Sequence, residues 1–146
     1  MKVLVFDSER CDGCGVCEQT CSQTWFKVAD KDKSAIRIVE APDLAGRYQA
    51  VVCSQCGECI DVCPTLAIAR DKAGIVRIRK SECVGCLSCV GFCPLLAMRV
   101  HPDDIVPFKC VACGKCVEAC PTGALSIQDL PDAKPSRTDE ILQVVA

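Results

Sequence analysis

The chain is short, at 146 residues, and carries a formal net charge of −2; half of its residues are apolar but only 4% are aromatic. Sixteen of the apolar residues are cysteines, so few side chains remain to build a hydrophobic core. We therefore expect bound inorganic groups to stabilise the fold, as they do in small metal-binding domains. The composition excludes a membrane-spanning helix, because no stretch approaches the ~18 apolar residues that such a helix needs.

The first ten residues, MKVLVFDSER, contain one strand-like run at Val3–Phe6. A secretory signal needs a longer apolar stretch of ~7–15 residues, so the expected location is the cytoplasm, where thiols stay reduced. A chain exported together with a partner that carries the signal would have the same sequence. A disulfide-stapled secreted protein is the competing interpretation of so many cysteines, but their regular spacing argues against it.

All the cysteines fall into four copies of one pattern, C-x2-C-x2-C-x3-C. The four motifs consist of Cys11, Cys14, Cys17 and Cys21; Cys53, Cys56, Cys59 and Cys63; Cys83, Cys86, Cys89 and Cys93; and Cys110, Cys113, Cys116 and Cys120. This is the run by which bacterial ferredoxins ligate 4Fe–4S clusters. Zinc sites also use CxxC pairs, but they usually separate two such halves by a longer stretch. We predict four 4Fe–4S clusters, each fully ligated by cysteine.

Motif one differs from the others in its ending. In motifs two to four a proline follows the fourth cysteine and turns the chain away from the cluster, whereas motif one has Ser22 there. The gap that comes next, residues 22–52, is the longest between motifs. It contains a charged turn at residues 30–34, a predicted strand at Ala35–Val39, and a Pro/Gly loop at Pro42–Gly46.

The segment between motifs two and three predicts a hairpin. Its strands are expected at Leu66–Ala69 and Ile75–Arg79, with a turn at Asp71–Gly74 between them, because the second strand has the alternation of period two. After motif four, Leu125–Ile127 is expected to pair with Val3–Phe6 and to bring the two ends of the cluster region together.

The fourth cysteine of such a motif ligates the cluster of a paired motif, so the motifs form two pairs. Pairing motif one with two and three with four is possible, but the hairpin favours nesting, with one paired to four and two to three. The predicted modules are residues 1–52 plus 94–127, and an inserted module at 53–93. Residues 128–146 are expected to form an arm or a short helix, since Ser136 to Asp139 has the form of a capping box.

Few residues outside the motifs suggest chemistry. We expect His101 to be exposed in a loop, and Trp25 and Phe26 to shield a cluster from water. Each oxidised cluster with its four thiolates adds a charge of about −2, giving about −10 in total, so nucleic acid is not an expected partner. Five basic residues near the motifs are interpreted as ordinary solvated surface, with a partial offset of the cluster charge as the alternative: Arg77, Arg79, Lys80, Arg99 and Lys109.

Residues 1–127 resemble the four-cluster ferredoxin-like subunits of molybdenum and tungsten oxidoreductases, relatives of the iron–sulfur subunits of dimethyl-sulfoxide reductase and formate dehydrogenase. The matching stretches are CDGCGVCEQTC, SAIRIV, CSQCGECIDVCP, CVGCLSCVGFCP and KCVACGKCVEACPTGAL. Larger relatives have extra residues between the second and third cysteines of motifs two and four, and this chain does not. Its shortness and its lack of a membrane anchor look more like the small polyferredoxin subunits of soluble tungsten aldehyde oxidoreductases.

The resemblance implies an α+β fold of nested bacterial ferredoxin-like modules, with short helices and small antiparallel sheets. It implies no active site in this chain, and single-electron transfer through four clusters between a large catalytic subunit and a redox partner: a flavin subunit, a ferredoxin or further copies of this chain. A free-standing polyferredoxin carrier is the alternative. The nested ligand sets that the family implies are Cys11, Cys14, Cys17 and Cys120; Cys110, Cys113, Cys116 and Cys21; Cys53, Cys56, Cys59 and Cys93; and Cys83, Cys86, Cys89 and Cys63.

Overall fold

The computed structural model describes residues 2–41 and 46–130. These residues form short helices and two-stranded antiparallel sheets, which is the α+β architecture that the sequence predicts. In chain order the elements are β1 (Lys2–Phe6), α1 (Val16–Phe26), a 3-10 helix (Lys31–Lys33), β2 (Arg37–Glu40), β3 (Tyr48–Val51), α2 (Glu58–Val62), β4 (Ile68–Arg70), β5 (Val76–Ile78), α3 (Ser88–Phe92), β6 (Arg99–His101), β7 (Asp104–Phe108), α4 (Lys115–Ala119) and β8 (Leu125–Asp129).

The first and last strands pair with each other, as predicted. β1 and β8 are antiparallel, with Leu4 opposite Ile127 and Phe6 opposite Leu125. Leu4 and Leu125 are buried with Ile36 in one core, to which Cys17 and Cys116 contribute. Helix α1 packs against α4 beside this core, so motifs one and four lie together.

A second core lies beneath the predicted hairpin. β4 and β5 pair in antiparallel fashion, with Ile68 opposite Ile78, and Val76 is fully buried. Helices α2 and α3 pack against each other, and Cys59 and Cys89 belong to this core. The predicted start of the first strand was wrong by two residues, because Leu66 has a φ of 56° and cannot be part of a strand.

Other elements differ from the sequence-based prediction or were missed by it. β2 covers Arg37–Glu40 rather than Ala35–Val39, and its partner β3 was not predicted. The hairpin of β6 and β7 was also missed. His101 was predicted to be exposed in a loop, but it ends β6, and its side chain is only 16% exposed beside Asp30 and Asp103.

Within residues 2–41 and 46–130, no helix has the length and apolar character needed to cross a membrane. The predicted C-terminal helix lies outside the described residues, and so does the Pro42–Gly46 loop apart from Gly46. The division of the chain into an outer and an inserted module stays a prediction.

Candidate metal centres

Each motif begins with a tight turn around its first cysteine. The second residue after that cysteine has a positive φ, between 52° and 75°, and this conformation turns its backbone N–H back toward the thiol. The N–H donates to the Sγ atom at 3.3–3.4 Å in all four motifs. The four donors are Gly13, Gln55, Gly85 and Ala112.

A second left-handed residue in each motif starts a helix that carries the third cysteine. Three of these residues are glycine, for which a positive φ involves no steric penalty, and Leu87 takes the position in motif three with a φ of 61°. The third cysteine lies in the first turn of the helix and is buried in every motif: Cys17, Cys59, Cys89 and Cys116.

The fourth cysteine of motifs two to four ends its helix after only five residues. The proline that comes next turns the chain, and an amide four residues after the cysteine then comes back to its sulfur. Ala67 donates to Cys63 Sγ and Ala97 to Cys93 Sγ, both at 3.3 Å. At Cys120 the hydroxyl of Thr122 lies 3.5 Å from the sulfur.

Motif one provides the same contact in a different way. Without a proline, α1 continues through Cys21 and Ser22 for 11 residues, so the local amide stays within the helix. The N–H that reaches Cys21 Sγ, at 3.3 Å, belongs to Ala35, fourteen residues further along the chain. Ser34 helps to place this segment, since its buried hydroxyl contacts the backbone of Ile36.

The sixteen thiols are free, and three groups of four line separate cavities. Each cavity contains the first three cysteines of one motif together with the fourth cysteine of another. The groups are Cys11, Cys14, Cys17 and Cys120; Cys110, Cys113, Cys116 and Cys21; and Cys83, Cys86, Cys89 and Cys63. The remaining four thiols are also neighbours. Burial raises the pKa of Cys53, whereas Lys109 and the backbone N–H of Gln55 lower it. Cys56 and Cys93 are close enough to raise it further.

Burial controls the acidity of the inner thiols. It raises the pKa of Cys17, Cys59, Cys110 and Cys116 to about 12, so these groups are protonated thiols at neutral pH when nothing is bound. The exposed thiol of Cys86 behaves differently, because hydrogen bonds from Ser88 lower its pKa. Binding of a metal group must therefore displace protons from the buried thiols.

The arrangement of the thiols fits a polynuclear group better than a single ion. A tetrahedral zinc site has Zn–S distances of about 2.3 Å, which requires its sulfurs to converge on one point. Among the described residues, which include every cysteine, no three Cys, His, Asp or Glu side chains converge closely enough to hold one ion. The thiols surround cavities instead, and backbone N–H groups point at the sulfurs, as a 4Fe–4S cluster requires.

The other residues singled out in the sequence lie around these cavities and on the surface. Trp25 is half exposed and lines the cavity of Cys21 and Cys113. Phe26 packs edge-to-face on Phe108, with ring centroids 5.0 Å apart. Of the basic residues, Arg77, Arg79 and Lys80 are exposed as predicted, Arg99 is partly buried, and the prediction was wrong for Lys109, which is buried.

Sequence reasoning missed three residues that shape these centres. They are Ala35, Gln55, which is fully buried, and Arg70, whose guanidinium donates to the carbonyls of Gln55 and Cys56. Only Gln55 gives a signal in the sequence. Gln55 and Ala112 stand where motifs one and three have glycine, and a polar side chain in such a turn suggests a specific contact.

Comparison with known proteins identifies the cluster type. One profile described as a 4Fe-4S dicluster domain matches residues 45–94 and 75–121, and a second with the same description matches residues 10–67 and 109–144. The structure resembles one titled "Active site complex BamBC of Benzoyl Coenzyme A reductase in complex with Zinc", with a TM-score of 0.51, 25% identity, and coverage of 99% of this chain and 89% of that one.

Three curated relatives are informative. NrfC of Escherichia coli K12 is 35% identical over 108 residues, which is 68% of this chain and 48% of NrfC. The thiosulfate reductase electron transfer subunit PhsB of Salmonella typhi is 33% identical over 57% of this chain and 47% of PhsB. The polyferredoxin-like subunit of the aliphatic sulfonate oxidoreductase of Pyrococcus furiosus is 32% identical over 56% and 47%. The chain spans less than half the length of each of these relatives.

Proposed function

The chain belongs to the family of 4Fe-4S dicluster domains, and we propose that it is the iron–sulfur electron-transfer subunit of a larger oxidoreductase complex. Its cofactors are four 4Fe–4S clusters, one for each four of its sixteen cysteines. The observation that supports the proposal most is the repeated environment of the thiols: four sets of sulfurs, each with backbone N–H donors, with a buried thiol in every set.

We propose the nested ligand sets, in which motif one exchanges its fourth cysteine with motif four and motif two exchanges its own with motif three. The thiols that share cavities support three of the sets, and the electrostatic neighbours of Cys53 support the last. Each set takes the name of its first cysteine: the Cys11, Cys110, Cys53 and Cys83 sets.

Electrostatic effects between thiols of different sets support an order along the protein. Besides burial, Cys17 raises the pKa of Cys116, which makes the Cys11 and Cys110 sets neighbours. Cys53 likewise raises the pKa of Cys110, and Cys89 raises that of Cys59. The proposed order is therefore the Cys11, Cys110, Cys53 and Cys83 sets, with the first and last at the two ends.

When bound, the clusters accept and release single electrons, and the chain supplies their spacing and surroundings. Four thiolates hold each cluster, the N–H groups favour its negative charge, and burial of the third cysteine of each motif excludes water from one side. Three thiols are exposed: Cys14 and Cys86 in the two end sets, and Cys113 in the inner Cys110 set. We propose Cys14 and Cys86 as the points where electrons enter and leave, because their sets lie at the two ends of the proposed order.

The proposed partner at one end is a large catalytic subunit. PhsB and the polyferredoxin-like subunit are named as parts of oxidoreductases, and their names support a catalytic partner for this chain. We propose a tungsten or molybdenum pterin enzyme, such as a tungsten aldehyde oxidoreductase, with no active site in this chain itself. A flavin subunit, a ferredoxin or another copy of the chain would exchange electrons at the other end. A free-standing carrier is the alternative, and the exposed thiols at both ends suit it equally.

Anaerobic purification of the tagged chain from its own cells tests the function. We expect about sixteen irons and as many sulfides per chain. We also expect four reducible clusters, detected by electron paramagnetic resonance, and a co-purifying large subunit with a pterin cofactor. A stable lone chain with all four clusters would favour the free carrier, and material without iron would refute the electron-transfer function altogether.

Cysteine variants test the ligand sets. If Cys14 and Cys120 serve the same cluster, then the double variant Cys14→Ser/Cys120→Ser perturbs one spectroscopic signal, the same one that each single variant perturbs. The matched control is Cys14→Ser/Cys86→Ser, which must perturb two signals. Loss of two signals in the first double variant would instead support pairing of motif three with motif four.

A further inference from the structure

The strongest unexplained feature of the molecule is a buried lysine between the two halves of the cluster path. Lys109 precedes the first cysteine of motif four, and only 7% of the residue is exposed. Its ammonium donates to Gln55 Oε1 and to the carbonyl of Cys110, both at 3.0 Å. Lysines are almost never this buried without a compensating negative charge.

Gln55 fixes the position of this ammonium. Its Oε1 atom also accepts the N–H of Val76 at 3.0 Å, and its Nε2 atom donates to the carbonyl of Cys110 at 2.9 Å. Both ends of the amide are therefore satisfied in one orientation only. Since the backbone N–H of Gln55 donates to Cys53 Sγ, this single residue connects motif two with motif four and holds Lys109 at the junction.

The compensating charge for Lys109 does not come from a carboxylate. In the part of the chain that the structure describes, Lys109 forms no ion pair with Asp or Glu. The nearby groups that can carry negative charge are cysteine sulfurs. Lys109 lines the cavity of the Cys110 set. Its ammonium also donates to the side chain of Gln55, the residue whose backbone N–H donates to Cys53 Sγ.

We propose that Lys109 is a positioning residue for charge: its buried ammonium raises the reduction potentials of the two inner clusters, those of the Cys53 and Cys110 sets, relative to the outer two. The inference rests on the proposed function, because it presupposes clusters in those sets. The reason is electrostatic. Reduction adds one negative charge to a cluster, and a fixed positive charge beside it, poorly screened because it is buried, favours the reduced state.

Such a charge has a clear use at this place. Electrons pass from one pair of motifs to the other through the two inner clusters. Each inner cluster has a negatively charged cluster on either side. Without compensation their potentials would be lowered by this repulsion, and the middle of the path would become a barrier. Lys109 offsets the repulsion at the one junction that the two pairs of motifs share.

The test is a redox titration monitored by electron paramagnetic resonance on the whole complex or the full chain, with the signals of the outer clusters assigned from Cys14→Ser and Cys86→Ser. Lys109→Met keeps the length of the side chain and removes the charge. Gln55→Glu keeps Lys109 and cancels its charge with a carboxylate at the same place. Lys80→Met is the matched control, because Lys80 is exposed.

In both variants of the junction we expect the inner clusters to become harder to reduce. The ratio of reduced to oxidised cluster at a fixed potential should fall about tenfold at both inner clusters, which is 59 mV for one electron. The outer clusters and the Lys80→Met protein should stay within threefold of the wild type. If Lys109→Met loses a cluster, then Gln55→Glu decides the question.

Two results would overturn the inference. The first is four intact clusters whose inner potentials do not move in Gln55→Glu. The second is an equal shift at all four clusters, which a general loosening of the fold would cause. A wild-type protein without four reducible clusters would instead refute the proposed function, so that the two failures can be told apart.

Discussion

Gly57→Ala should weaken the protein more than the same change at the equivalent position of motif four, Gly114→Ala. Both glycines start a helix with almost the same backbone conformation, at φ values of +87° and +81°. An alanine in this region is less stable by about 1–2 kcal/mol, and this penalty is common to the two variants. The difference between them therefore reports on the surroundings of the added methyl group.

The two positions differ because Arg70 lies beside Gly57 and not beside Gly114. A Cβ atom on Gly57 would lie 2.6 Å from Arg70 Nη2, whereas at Gly114 the nearest atom is Ile127 Cγ1 at 3.7 Å, an ordinary contact. The guanidinium is flexible and can move away, but it then leaves the carbonyls of Gln55, at 2.8 Å, and Cys56, at 3.3 Å. Hydrogen bonds to a charged group contribute about 1.5–3 kcal/mol. Partial solvent exposure reduces this to about 1–2 kcal/mol.

The assay is the rate of iron release to a chelator under anaerobic conditions, after confirmation that each variant contains all its iron. Because 1–2 kcal/mol corresponds to a factor of about 5–30, Gly57→Ala should lose iron that much faster than Gly114→Ala. In an Arg70→Ala background the extra effect should vanish, since no guanidinium remains to be displaced. Equal rates for the two glycine variants in the wild-type background would refute this reasoning.

Three further outcomes are expected from the packing and acidity of the core. Ser22→Pro would copy the ending of the other motifs, yet it should destabilise the protein by about 3 kcal/mol or more, because the proline falls inside α1; an unchanged denaturation midpoint would contradict this. Ile36→Ala should lower the free energy of unfolding by about 2–5 kcal/mol, since Ile36 is 1% exposed, and urea titration of the holoprotein measures the loss. Burial raises the pKa of Cys17 and Cys59 to about 12, so the cluster-free fold favours protonated thiols. The stability of this cluster-free fold therefore falls as the pH rises above the ordinary thiol range. Cluster uptake releases protons, so it becomes more favourable over the same pH range. A pH-stat during reconstitution with iron and sulfide should record this release as base consumed beyond the one proton that each hydrosulfide gives up, and no such excess would count against it.

Spacing along the chain predicted what depends on local geometry. The four cysteine motifs and the hairpin of β4 and β5 involve residues close in sequence, where the period and the turn chemistry suffice. The pairing of β1 with β8 was predicted as well, although its partners are distant, from the short apolar runs at the two ends of the cluster region. The sixteen cysteines as ligands stay a prediction from this spacing.

What the sequence did not predict depends on contacts between segments. The amide of Ala35 reaches Cys21 only because α1 and the 3-10 helix fold back on each other, and no local pattern encodes that contact. Lys109 was interpreted as solvated, which is the usual state of a lysine, and its burial arises from Gln55, more than fifty residues earlier. The boundary at Leu66 failed because a leucine with a positive φ is rare.

The antiparallel pairing of β1 with β8 has a consequence for how the protein is made. The strand β1 finds its partner only among residues 125–129, more than one hundred residues further along the chain. The hairpin of β4 and β5 closes locally and can form much sooner. We therefore expect folding to proceed from the middle outward, with β1 unpaired until residues 125–129 have been made.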